Sequence, residues 1–335
     1  MHRCALLLLA IVPALAQTAS LDVLNHNRPI LDAHNCYPYQ GRWADRIDRA
    51  LQSGFPISIE QDLAWDLKGS REGRVVLSHE PETTGSEPLL RDYFFERVRP
   101  IVEKALADND RARWPLIILH FDFKSTEAPL LHAVWNLLGE YEGWITTAVK
   151  TSDPNQLSPL EAKPILVITE DSDEQEEVFF NQVPVGAKLR VFGSAHDYPM
   201  ETASREEQIH LAATLPPEKL LSTPPTNYRR WWNNSWYVVE EGGQKRAGDW
   251  TGADDRRLRA LVDHAHRLGY WIRFYTLDGF QPADGQGWDD DYNFGSREAA
   301  LARWNAALAA GVNFVATDQY EDLAVVMKAA TQRSR

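Results

Sequence analysis

Short runs of Ile, Val, Leu and Phe recur along the chain, and between them apolar residues return every three or four positions. The runs predict strands at 30–34, 57–62, 116–124, 144–149, 165–169, 189–192, 219–222, 271–276 and 314–317. The intervening spacing predicts helices, as in "WADRIDRALQSG", "DYFFERVRPIVEKALADND" and "DDRRLRALVDHAHRLG". Two of these segments stop at a glycine, Gly54 and Gly269, a common way for a helix to end before a strand. Strands and helices that alternate at this length predict an α/β fold, a single (β/α)₈ TIM barrel, over a doubly wound sheet. Nine strand candidates for eight places leave one outside the barrel. Two segments break the rhythm: 224–250, with four tryptophans, and the polar stretch 279–296. Both follow a predicted strand, so both rise as long loops at the C-terminal face, where barrel sites form.

The second predicted strand, "FPISIEQDLAWD" from Phe55 to Asp66, carries two carboxylates in its apolar middle. Alternation places Ile57, Ile59, Gln61 and Leu63 on one side and Ser58, Glu60, Asp62 and Ala64 on the other. Glu60 and Asp62 therefore point the same way, roughly 6.5–7 Å apart along the strand. Like charges on one buried face repel and lose hydration, so a cation is expected beside them.

The N-terminus sets the expected compartment. "MHRCALLLLAIVPALAQ" joins a basic start to a short apolar run and small residues at Ala14 and Ala16. This pattern predicts a secretory signal peptide, residues 1–16, leaving 17–335 as the barrel domain in a secreted or periplasmic protein. The run is short for a membrane anchor, and no other stretch predicts a transmembrane segment. Loss of Arg3 takes the 35 basic residues to 34 against 48 acidic ones, a formal charge of −14. That balance argues against nucleic acid as a partner and against anionic membrane as the main binding mode, while allowing transient contact with lipid. Cys36 is then the one cysteine, so no intrachain disulfide forms and stability rests on the core.

The chemistry-bearing residues stand at strand ends. His34 closes "ILDAH", His79 follows "RVVLS", and "LHFDFKS" carries Asp122 and Lys124 on one face. A barrel brings such ends to one mouth. Three carboxylates, Glu60, Asp62 and Asp122, suit one hard divalent cation, Mg²⁺ or Ca²⁺. His34 and His79 are then available for proton transfer, and Lys124 for offsetting anionic charge.

The stretches "AHNCYPYQGRWADRIDRALQSGFPISIEQDLAWD", "VVLSHEP" and "LIILHFDFKST", with the later "WIRFYTLDG" and "AALAAGVNFVATDQYEDL", resemble the phospholipase C-like phosphodiesterase superfamily. Within it they look like the glycerophosphodiester phosphodiesterase branch and its secreted bacterial relatives whose first motif reads His-Asn-Asp-Tyr. The resemblance implies a metal-dependent phosphoric diester hydrolase acting on a small phosphodiester or a lipid head-group ester. It implies His34 and His79 as the catalytic pair, Lys124 beside them, and Glu60, Asp62 and Asp122 as metal ligands. The sequence departs from that pattern at Asn35-Cys36, where the glycerophosphodiesterases have Arg-Gly. Arg273 is then the replacement phosphate-binding arginine, with Asn35 and Trp232 as further substrate contacts.

Two other functions compete. A secreted TIM-barrel glycoside hydrolase would use Glu60 and Asp122 as its acid and base and the tryptophans as sugar platforms. A catalytically drifted barrel would bind without turnover. Several residues also have plainer readings. His120 shares the parity of Asp122 and reads as a packed histidine inside the barrel, and Cys36 as a buried small side chain. His196 reads equally as a loop hydrogen-bonding residue, and Trp231, Trp232 and Trp236 as loop packing. Asp289–Asp291 reads as a solvated acidic run.

Overall fold

Eight strands pair in parallel, each with the next, and the last returns to the first. They are β1 (Ile30–Ala33), β2 (Ile57–Asp66), β3 (Ile117–Phe123), β4 (Ile165–Thr169), β5 (Phe192–Ser194), β6 (Arg229–Ser235), β7 (Trp271–Tyr275) and β8 (Phe314–Thr317). Pairing of β1 with both β2 and β8 closes the sheet, so the fold is a single (β/α)₈ barrel. The computed structural model describes residues 19–196, 204–280 and 293–333. The proposed signal segment 1–16 and the acidic run Asp289–Asp291 lie outside the described residues. Among the described residues, no helix is long and apolar enough to cross a membrane.

The helices follow the 3.6-residue spacing. Arg46–Ser53 ends at Gly54, whose φ of 107° suits glycine. Gly252–Leu268 opens on a capping box between Thr251 and Asp254 and ends at left-handed Gly269. The segment around Val98 forms Glu96–Asp108, preceded by a π-helical turn at Arg91–Phe95.

Three predicted strands need correction. Residues 144–149 give only Thr147–Val149, which joins Leu160–Glu161 and Lys188–Leu189 in a small antiparallel sheet outside the barrel. The run at 189–192 is split: Lys188–Leu189 belongs to that small sheet and the barrel strand starts at Phe192. Residues 219–222 are no strand, because Pro216 and Pro217 start the one-turn helix Pro217–Leu220 there. The eighth barrel strand is instead β6, inside the tryptophan-rich segment read as a loop. Its far half runs beside β7 in register, pairing Asn233 with Arg273. Past the rim, β2 continues into an antiparallel hairpin with Arg74–Leu77.

Apolar side chains on the outer strand faces pack under the helices, with Ile57, Ile59, Leu119, Ile165, Phe274 and Val315 fully buried. The barrel interior is apolar at its floor, where Trp231 meets Phe314 edge-on. Toward the C-terminal ends it turns polar and charged. Glu60, Asp62, Asp32, His120 and Arg273 are all buried there.

Candidate functional site

Strand register sets the carboxylates. Asp62 on β2 lies directly beside Asp122 on β3, two residues beyond the Glu60–His120 pair. Neighbouring parallel strands run about 4.8 Å apart, so the two inward carboxylates are forced close. Glu60, Asp62 and Asp122 present oxygens that all lie within 4.8 Å of one another. The Lys124 ammonium bridges two of them, 2.8 Å from Asp62 Oδ2 and 2.7 Å from Asp122 Oδ2. From β7, Arg273 donates to Glu60 Oε2 at 2.7 Å and pairs with Asp32 one layer below.

The electrostatics follow from this packing. Burial and the neighbouring Asp122 charge push the Asp62 carboxyl well above its ordinary range. Burial raises Glu60 too, but Arg273 and His34 outweigh it and hold Glu60 low. Asp122 is likewise held low, against burial, by Lys124. Three buried carboxylates, Asp32, Glu60 and Asp62, and half-buried Asp122 thus face two permanent cations, Lys124 and Arg273, with the His34 ring beside Glu60. Moreover, Asp62 Oδ1 is buried with no hydrogen-bond partner, an uncommon state for a buried polar atom. An all-oxygen trio with one orphaned oxygen fits a hard divalent cation.

His34 stands just past β1, beside this trio. Its Nδ1 lies 2.9 Å from Asp318 Oδ1, beyond β8, and its Nε2 lies 3.8 Å from Glu60 Oε2. Burial works against charging the ring, but Glu60 and Asp318 prevail and raise His34 to about 9. Asp318 is itself gripped by Arg46, which also donates to the Asn35 carbonyl at 2.8 Å. Asn35 takes a left-handed φ of 51°, tolerated by asparagine, and its amide donates to Asp318 at 3.2 Å. A second cluster, His34, Asp278 and Asp318, also has its ligand atoms within 4.8 Å. Arg46, Thr317 and the Asp318 amide already engage its carboxylates.

The other expected residues are placed differently. His79 sits on the rim beyond the hairpin, edge-on to Tyr39, with Nδ1 3.5 Å from Glu80 and its side chain 38% exposed. The two histidines are therefore one buried and one at the surface. Arg273 is buried and engaged by Asp32, Glu60 and Asn233, so it serves as the internal counter-ion of the trio. Trp232 alternates away from inward-facing Trp231 and Asn233 and is buried against the outer layer. Trp231 and Trp236 are buried too, and Trp236 donates to Glu240 at 2.7 Å. The tryptophans are packing residues. Cys36 and His120 are buried as read, while His196 is exposed and lies 3.2 Å from Asp171.

Three residues escaped the sequence reading. Tyr37 donates to Asp62 Oδ2 at 2.5 Å, Asp318 orients His34, and Glu170 follows β4 at the mouth. Glu170 and Asp318 each come directly after a predicted strand end, the same signal that picked out His34.

No protein-family model matches this sequence, and no curated protein matches it. The structure resembles Plasmodium falciparum HPPK-DHPS, wild type with pterin and p-hydroxybenzoate, at 12% identity and a TM-score of 0.44. A triple mutant of that protein with pteroate gives 10% identity and 0.45, and an HPPK-DHPS in complex with substrates gives 10% and 0.44. Each likeness covers 92% of this chain and 49% of the other, so the chain spans about half the length of these structures. These findings correct the resemblance drawn from the motifs. The solved structures named above are HPPK-DHPS chains rather than phospholipase C-like or glycerophosphodiester phosphodiesterases, and no family model or curated protein stands behind the motifs. The assignment as a phosphoric diester hydrolase is withdrawn with it, and the glycoside hydrolase and drifted-barrel alternatives find no support either. The HPPK-DHPS likeness at this identity concerns the barrel fold and assigns this chain no reaction.

Proposed function

We propose that this chain is a divalent-cation-dependent enzyme acting on a small molecule that meets the cation through an oxygen. The observation that carries the reading is the trio Glu60, Asp62 and Asp122, with the orphaned buried oxygen Asp62 Oδ1 among them. Those three side chains would hold Mg²⁺ or Ca²⁺, and such an ion, when bound, polarises an oxygen of its ligand.

The chain's own residues supply the rest. Asp318 holds a proton on His34 Nδ1 and turns Nε2 toward the trio, which makes His34 the group placed to move a proton there. Lys124 limits the repulsion between Asp62 and Asp122, and Arg273 does the same for Glu60 and Asp32 from below.

Calorimetric titration of Mg²⁺ and Ca²⁺ into the purified protein tests this reading. One site is expected, weakened at least about tenfold in Asp62→Asn, since one charged ligand is worth 1.5–3 kcal/mol or more. Absence of binding, or equal binding by the variant, would remove the proposal. Turnover on a small oxygen-bearing substrate should then drop ~10²–10⁴-fold in His34→Gln, the usual contribution of a positioned proton donor or acceptor.

A further inference from the structure

At the N-terminal end of the barrel, opposite the trio, lies a groove of about 670 Å³, a size within the range of small-molecule sites. Val23 of the helix Ala19–Asn25, Phe55 and Pro56 of the turn before β2, and Met327 and Ala330 of the helix Tyr320–Arg333 line it. The last helix explains its apolar wall. Leu323, Met327 and Ala330 share one helical face; Leu323 is fully buried, whereas Met327 and Ala330, one and two turns later, are left half-buried. Phe55 is 42% exposed, although phenylalanine is among the side chains most often buried.

The charges that line this groove have one sign. Among the described residues, Arg28 and Lys328 are its charged side chains, and no carboxylate lines it. Lys328 makes no ion pair among the described residues, and Arg28 reaches Asp22 only at 3.4 Å, with both side chains more than a third exposed. The chain as a whole is acidic, with 48 acidic side chains against 35 basic ones, so this local balance runs against the overall charge. An apolar wall with cations at its edge is complementary to a ligand that is apolar along its length and anionic at one end.

We infer that the groove binds a soluble long-chain carboxylate, its chain against Phe55 and Met327 and its head group facing Arg28 and Lys328. The site is separate from the cation trio, so neither reading falls with the other. Methyl NMR of the purified full chain gives the readout, because Met327 lies in the groove; Met327→Leu assigns its signal. Decanoate, kept below its micelle concentration, should shift the Met327 methyl saturably. Octanoate should bind about tenfold more weakly, since each buried methylene is worth about three- to fourfold. Decanol and decyltrimethylammonium should also bind more weakly, although the overall charge of the protein favours the cation. Arg28→Glu combined with Lys328→Glu, both exposed positions, should reverse the order of decanoate and decyltrimethylammonium. No saturable shift, equal affinity for octanoate and decanoate, a preference of the parent for the cation, or an order unchanged by the charge reversal would overturn the inference. A shift produced only by anionic vesicles would assign the groove to a membrane surface, and one produced by raising the protein concentration alone would assign it to a second copy of the chain; either overturns the inference too.

Discussion

The Tyr37 hydroxyl donates to Asp62 Oδ2 at 2.5 Å, from a ring that is itself buried. Burial and the Asp62 charge push the phenol well above its ordinary range, so it stays protonated and remains a donor. Asp62 is thus fixed through one oxygen by Tyr37 and Lys124 while the other is left without a partner. Tyr37→Phe should lower stability by about 1–3 kcal/mol, the range for a hydrogen bond to a carboxyl group, read from the urea midpoint. An unchanged midpoint would show that Lys124 alone fixes Asp62.

Asp62→Asn should separate stability from ion binding. Without a divalent cation the variant should be at least as stable as the parent, because it removes a buried carboxyl from beside Asp122. With the ion at a hundred times its dissociation constant, the parent should gain about 2.7 kcal/mol and the variant far less. Thermal unfolding with EDTA and with Mg²⁺ measures both. A parent that gains nothing would remove the ion from the site.

Arg273 is the internal counter-charge for Asp32 and Glu60. Arg273→Leu should cost about 3–5 kcal/mol, since it strands two buried carboxylates. Arg273→Lys should recover only part of this, because a single ammonium cannot reproduce the fork that reaches Asp32, Glu60 and Asn233 together. Equal stability of the Leu variant and the parent would mean that those carboxylates bind protons instead.

Acid sensitivity should trace in part to Asp66, at the hairpin end of β2. Burial raises its carboxyl, but Thr83, Arg74 and the Gly69 and Lys68 amides outweigh that and hold it at about 2. A carboxylate held low in the fold stabilises above the ordinary aspartate range near 3.9, and that stability is lost as pH falls toward about 2. The stability gap between the parent and Asp66→Asn should therefore be largest above pH ~4 and shrink from there to pH ~2. Urea midpoints across that range test it. A gap independent of pH would contradict the assignment.

The barrel was legible because outward strand faces are aliphatic, and runs such as 165–169 announce themselves. β6 was not, because "RRWWNNS" places Asn233 inward among charged groups and Trp232 outward, so it shows neither an aliphatic run nor clean polar alternation. Residues 219–222 misled for the opposite reason: Leu220 and Leu221 are buried from a one-turn helix set by the prolines before it. Glu60, Asp62 and Asp122 could be grouped because strand parity and barrel closure together bring them to one place. The partners that fix them, Tyr37 and Arg273 above all, depend on side-chain reach across the barrel, which spacing along the chain does not encode. The family resemblance failed in a different way, since short motifs of common residues at strand ends report the shared demands of a barrel mouth as readily as descent.

Beneath the trio, Trp231 and Phe314 seal the barrel floor with fully buried rings. The barrel interior is consequently closed at that end. A ligand of the trio therefore arrives and departs through the C-terminal face alone, past the same rim residues in both directions.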